Sequence, residues 1–145
     1  MDATDPPAPN VTMRWTSRNE CWALLREAVI GRLAVVVDGV PDVFPVNFAV
    51  DGGSIVVKTG AGTKRDAALA GPVAFEVDGY DPTSGEAWSV VAKGRPRQLG
   101  TMEELLDVAD LPLEPWHEGR KPQVIRLVPE TLSGRRFPVR GGIRS

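Results

Sequence analysis

Three apolar, β-branched runs follow one another with almost nothing between them. They are Leu33–Val37 (LAVVV), Val43–Val50 (VFPVNFAV) and Ile55–Val57 (IVV), the last continuing into Lys58-Thr59. The connections are a short turn from Asp38-Gly39 through Val40-Pro41 and the turn Asp51-Gly52-Gly53. Turns this short allow only antiparallel neighbours, because a parallel pair needs a crossover of a dozen or more residues. LAVVV has no polar alternation, so both its faces are expected to be buried, one inward and the other under a helix or a second subunit. Pro45 cannot donate to a ladder and marks an edge, a bulge or a docking place.

The same pattern continues downstream. Val73–Asp78 (VAFEVD) reads as a strand, Gly79–Gly85 as a loop, and Ala87–Ala92 as a strand running on to Leu99 with a bulge at Gly94-Pro96. Val124–Val128 (VIRLV) is the last clear strand, and Pro129–Phe137 reads as a basic turn. Three helices interrupt the strands. Ser17-Arg18-Asn19-Glu20 is a capping box opening a helix with Cys21, Leu24, Leu25 and Ala28 on one face, ended by Gly31. Thr63 is placed to cap a helix that carries Asp66, Ala67, Ala68 and Leu69, and Thr101–Glu104 is a second capping box. About six strands in antiparallel succession, with helices around them, make a small β-barrel rather than a βαβ sheet.

A chain of 145 residues suffices for one domain with its own core. We expect a flexible tail over residues 1–14, a single domain over 15–140 and a short tail over 141–145. The net charge of −2 argues against a general nucleic-acid binder, although the segment from Arg120 onward is basic. No apolar run approaches the ~20 residues that span a bilayer, and Met1–Thr12 resembles no signal peptide, so a cytoplasmic protein is expected. The single cysteine, Cys21, excludes an intramolecular disulfide and any multi-cysteine zinc site. On an apolar helix face it reads as a small core residue, not a nucleophile.

Chemistry concentrates around the Gly60-Ala61-Gly62 turn. Lys64 and Arg65 fall in the first turn of the predicted helix, where the macrodipole disfavours cations by roughly 0.3–1 kcal/mol each. A bound phosphate would reverse that cost, because N–H groups, hydroxyls and cations would converge on it; the alternative is that both side chains extend into water. Asn47 lies among apolar neighbours and either bonds nearby backbone or, with the free backbone beside Pro45, reads a heterocycle. No metal-ligand cluster, carboxylate pair or nucleophile–base set can be assembled from the sequence, and His117, beside Trp116, reads as a surface loop residue. A phosphate cradle without acid–base machinery points to a bound organic cofactor that carries the chemistry.

In their order, Gly31–Leu69, Val73–Leu99 and Val124–Phe137 resemble the pyridoxamine 5′-phosphate oxidase-like flavin-binding split β-barrels, in particular their short actinobacterial-type members. The resemblance spans roughly Glu20 to Phe137. It implies a six-stranded antiparallel split β-barrel with peripheral α-helices and FMN at a homodimer interface. By position, Pro45, Val46, Asn47 and Phe48 would run along the isoalloxazine. Lys58 and Thr59 would flank the ribityl chain and phosphate, with Thr63, Lys64 and Arg65 on the phosphate. Trp88 and Ser89 match a segment that reaches flavin, and Arg135 or Arg136 corresponds loosely to a basic C-terminal motif. The phosphate-binding Arg of the true oxidases has Phe44 near its place, and their substrate-binding Arg and His have no counterpart, which puts vitamin B6 oxidation in doubt. The expectation is an FMN-binding oxidoreductase acting on a small molecule as a homodimer. The alternatives are an 8-hydroxy-5-deazaflavin-dependent reductase on the same fold or a non-catalytic flavin-binding or storage protein.

Overall fold

The structure, a computed structural model, describes residues 13–60, 62–113 and 123–139. In chain order the elements are β1 (Arg14–Trp15), α1 (Arg18–Glu27), β2 (Gly31–Val37), β3 (Val40–Asp51), β4 (Ser54–Thr59), α2 (Thr63–Ala68), β5 (Val73–Asp81), β6 (Glu86–Gly94), β7 (Arg97–Gln98), α3 (Met102–Asp107), β8 (Gln123–Leu127) and β9 (Thr131–Pro138). The strands form one sheet in the order β1-β9-β6-β5-β2-β3-β4-β8-β7, every pair antiparallel. Leu33, Phe44, Ile55, Phe75, Val90 and Ile125, each from a different strand, meet in one core together with Leu25 of α1. The sheet is therefore curled around that core, as a split barrel. Nine strands among the described residues exceed the expected six, partly because β1 and β7 are only two residues long.

The two tight hairpins form as their sequences require. Asp38 and Gly39 both adopt positive φ, 52° and 79°, and close the Val37–Val40 pair. Such a turn matches the right-handed twist of the flanking strands. Gly52, at φ 61°, opens the second turn and closes Asp51 on Ser54. Within the single chain Leu33 and Val35 are buried, whereas Val36 is 58% exposed on the outer face, the one expected to lie under a helix or a second subunit. A sheet curled around one core has only one inner face, so one chain by itself leaves the outer side chains of β2 uncovered.

Elsewhere the boundaries move for reasons of packing. Gly31 does not end α1, whose C-cap is Ala28; it opens β2 because the buried Phe75 ring lies where a Cβ would be, 2.2 Å away. The expected loop at 79–85 shrinks to residues 82–85. Gly79 stays in β5 with the Trp88 indole 2.6 Å from the position of a Cβ. The expected bulge at Gly94-Pro96 is a break, after which β7 leaves β6 and pairs with β8 at the other end of the sheet. The basic turn over 129–137 is instead mostly strand, since β9 pairs with β6 from Lys93–Thr131 to Glu86–Pro138. Its inward positions include Leu132, packed against the core, Gly134, pressed on Thr16 and Cys21, and Arg136, held by Glu20 and Glu86.

Ser17 caps α1 by accepting from the Glu20 amide at 3.1 Å, but the Glu20 carboxylate pairs with Arg136. Cys21 is buried, with Sγ 3.2 Å from Thr16 Oγ1, as a core residue should be. Thr101 and Glu104 complete the reciprocal box of α3.

Candidate functional site

A cleft of about 350 Å³ opens where β4 ends at Thr59 while β3 continues, past Pro45, back to Val40. It is lined by Ile30, Phe44, Pro45, Val46, Asn47, Lys58, Thr59 and Arg65. Register explains its floor. Hydrogen-bonded and non-bonded pairs alternate along an antiparallel ladder, and the tight turn makes Val37–Val40 a bonded pair. Counting from it, Val43 and Pro45 direct their backbone polar groups away from β2, towards the side on which β4 has already stopped. Pro45 therefore costs no ladder bond, and the open edge of β3 presents carbonyl acceptors together with the Val43 N–H. Asn47 is exposed on this face opposite Lys58, not enclosed among apolar neighbours. Phe44 and Val46 are buried and supply the apolar part of the wall, while Thr59 is buried at its end.

The cationic rim differs from the expectation. The N-cap of α2 is Gly62, at φ 117° with no side-chain cap bond, and Thr63 is the first helical residue. Only glycine adopts that backbone cheaply, which moves the cap one residue upstream. The helix has only six residues, so the dipole available to an anion is small. Nor are the two cations equivalent. Arg65 enters the cleft, donates to Asp42 from Nε at 2.5 Å and from Nη2 at 3.3 Å, and lies 4.8 Å over the Phe44 ring. Lys64 points to solvent with Asp38 at 3.3 Å, both about three-quarters exposed. Asp42 and Ile30 carried no sequence signal, because their role depends on a strand register and a helix position, and Phe44 was marked only as standing near the place of the oxidases' phosphate Arg.

The remaining candidates lie elsewhere in the chain. Phe48 turns from the cleft to the core, edge-on to Phe75 with ring centroids 4.9 Å apart. Ser89 lines a second cleft on the outer face of β5, β6 and β9, together with Arg135, whereas the Trp88 indole is on the inner face, over Gly79 and against the core. Arg136 points to the opposite face, in its pairs with Glu20 and Glu86. Trp116 and His117 fall outside the described residues. In the second cleft the Glu76 carboxyl is pushed up to about 7, first by burial and then by the neighbouring Asp78 carboxylate, with Arg32 pulling the other way. Among the described residues no group of three or more His, Cys, Asp or Glu is placed to hold a metal ion, and no helix is long and apolar enough to cross a membrane.

Comparison with known proteins follows the same lines. A family model described as pyridoxamine 5′-phosphate oxidase matches residues 17–136. The uncharacterized protein Rv0080 of Mycobacterium tuberculosis is 31% identical over 83% of this chain and 82% of its own length. Among solved structures, the FAD binding protein from Mycobacterium smegmatis is 32% identical with a TM-score of 0.73, covering 86% of this chain and 98% of that one. An FAD-binding protein from Mesorhizobium loti is 26% identical with a TM-score of 0.67, over 86% and 97% of the two chains. With its split barrel and a match covering most of its length, this chain belongs to the pyridoxamine 5′-phosphate oxidase family.

Proposed function

We propose that the protein is a flavin-dependent oxidoreductase that binds FMN in the cleft between β3, β4 and α2 and acts as a homodimer on a small-molecule substrate. The observation that carries this reading is the convergence of Pro45, Val46, Asn47, Lys58, Thr59 and Arg65 on one cleft. The residues present fit a flavin. The volume lies at the lower end of the usual range for ligand pockets, roughly 300–1,000 Å³. The open β3 edge offers both acceptors and a donor to a ring whose rim carries N–H and C=O groups, and Asn47 adds an amide. Lys58, Thr59 and Arg65 supply charge and a hydroxyl for a phosphate. Because Lys64 is turned outward, Arg65 is the cation assigned to that phosphate, sharing its fork with Asp42. When bound, the flavin supplies the redox chemistry; the chain's own part is to hold the ring, exclude water and fix the tail.

The homodimer rests on the outer face of β2 and β3. There the cross-strand pairs Val36–Pro41 and Ala34–Val43 lie side by side, with Val36 and Val43 each 58% exposed. An apolar strip of this kind needs cover, and a two-fold partner provides it. A second reading, FAD in place of FMN, is favoured by the FAD-binding proteins to which the chain is similar.

The deciding experiment is an absorbance spectrum of the purified protein, followed by titration with FMN, FAD and 8-hydroxy-5-deazaflavin and a solution mass by light scattering. Sub-micromolar FMN affinity in a dimer is the expected result. Preference for FAD or the deazaflavin would reassign the cofactor, and binding none of the three would remove the flavin reading.

A further inference from the structure

Arg65 lines the cleft with its fork already half used. Of the five N–H donors on a guanidinium, Asp42 takes one from Nε at 2.5 Å and one from Nη2 at 3.3 Å. The Phe44 ring covers one face of the same group, 4.8 Å from its centre. Asp42 and Phe44 are two residues apart on the inward side of β3, so one strand fixes both the edge and the face of the guanidinium. Three N–H groups, two on Nη1 and one on Nη2, remain for whatever enters the cleft.

A carboxylate in this place needs a reason. The two side chains are 37% and 31% exposed, and pairs open to solvent to that extent add little stability. A cleft shaped only for the tightest hold on a phosphate would leave Arg65 unpaired, because a carboxylate in contact with the cation opposes every negative charge brought to it. A phosphate on the free edge would stand roughly 6–7 Å from the Asp42 carboxylate, since both bond nitrogens of one guanidinium at about 2.7–2.9 Å. That is inside the ~8–10 Å screening length of physiological salt. At a half-exposed site, with a dielectric near that of water, each unit of ligand charge is then opposed by about three- to tenfold in affinity. Flavins differ in this respect. Riboflavin has no tail charge, and the first phosphate of FAD, a diester, carries one. A terminal phosphomonoester such as that of FMN carries about −1.5 to −2 at pH 7.

We propose that Asp42 is a specificity-determining residue of this cleft: by occupying one edge of Arg65 it discriminates against a doubly charged terminal phosphate and narrows the advantage of FMN over FAD. The inference rests on the flavin reading of the cleft and names the residue that grades the cofactor's tail by its charge. The test is calorimetric titration of the full chain, wild type and Asp42→Asn, with riboflavin, FAD and FMN at about pH 8, where the FMN phosphate is fully ionised. Asn keeps a side-chain oxygen to accept from Arg65 Nε, so the brace stays while the charge is removed. Asp42→Asn raises FMN affinity about three- to tenfold and FAD affinity about two- to threefold, and leaves riboflavin within twofold of wild type. A carboxylate that only props Arg65 in place gives no gain at all. FMN affinity that is unchanged or lowered in Asp42→Asn overturns the proposal, and so does a gain shared equally by riboflavin. Failure of the flavin reading has a different signature, since wild type then binds none of the three.

Discussion

Arg65→Ala separates a phosphate contact from a general positive surface. The Arg65 side chain is 37% exposed and is held by Asp42 and the Phe44 face, whereas Lys64 is 79% exposed on the rim. A hydrogen bond to a charged group contributes about 1.5–3 kcal/mol, and the share already given to Asp42 places Arg65 towards the lower end. Arg65→Ala is therefore expected to weaken FMN binding by roughly 10- to 30-fold. Lys64→Ala removes at most the ~1 kcal/mol of an exposed pair, about fivefold or less. Riboflavin, which has the same ring and ribityl chain without the phosphate, should bind Arg65→Ala within twofold of wild type. The stability cost of Arg65→Ala is about 1–2 kcal/mol, from a half-exposed pair and a cation–π contact, so the variant stays folded. Flavin fluorescence quenching measures both affinities, and urea unfolding checks the fold. Equal losses for FMN and riboflavin would refute the argument by making Arg65 part of the ring's wall. Equal losses in Lys64→Ala and Arg65→Ala would refute it by replacing a specific contact with a diffuse field.

Two further outcomes follow from packing and charge. Gly31→Ala puts a methyl into the ring of Phe75, which is fully buried and braced by Phe48, so it should lose about 1–3 kcal/mol in urea unfolding. Phe75→Leu on the Gly31→Ala background should recover part of this, and a Gly31→Ala variant within 0.5 kcal/mol of wild type would contradict the close approach. Glu76 holds its proton up to about pH 7 in the folded chain, against an ordinary 4.5, so the unfolded chain ionises first as pH rises and stability falls between those values. At about 1.36 kcal/mol per pH unit this interval caps the loss at about 3 kcal/mol, and solvent screening of a side chain 31% exposed reduces it to about 1 kcal/mol. Glu76→Gln should flatten the change in urea midpoint between pH 5 and pH 8, and an unchanged slope would assign it to another group.

Much of the fold is written locally. Asp38-Gly39 and Gly52-Gly53 set two hairpins, because the backbone of such a turn matches the twist of adjacent strands wherever it occurs. Ser17 and Thr101 open their helices through bonds that span only three residues. The strand pairing of Asn47 with Lys58 follows from the same turn chemistry, which is why most of one wall of the candidate site was legible. β9 was not. Beyond Leu132 its inward positions hold Gly134 and Arg136 in place of apolar residues, and these make sense only against Cys21, Glu20 and Glu86, far away in the chain.

By itself, then, the sequence determined the antiparallel succession, the apolar positions of the core and the strand that carries Pro45 and Asn47. Tertiary structure alone decided that β4 stops short of Pro45 and that Arg65 reaches back to Asp42 while Lys64 faces solvent. The division has one physical cause. Turns, caps and periodicity are energies of neighbours along the chain, whereas a cleft is the space left where strands of unequal length and a helix from elsewhere in the chain meet.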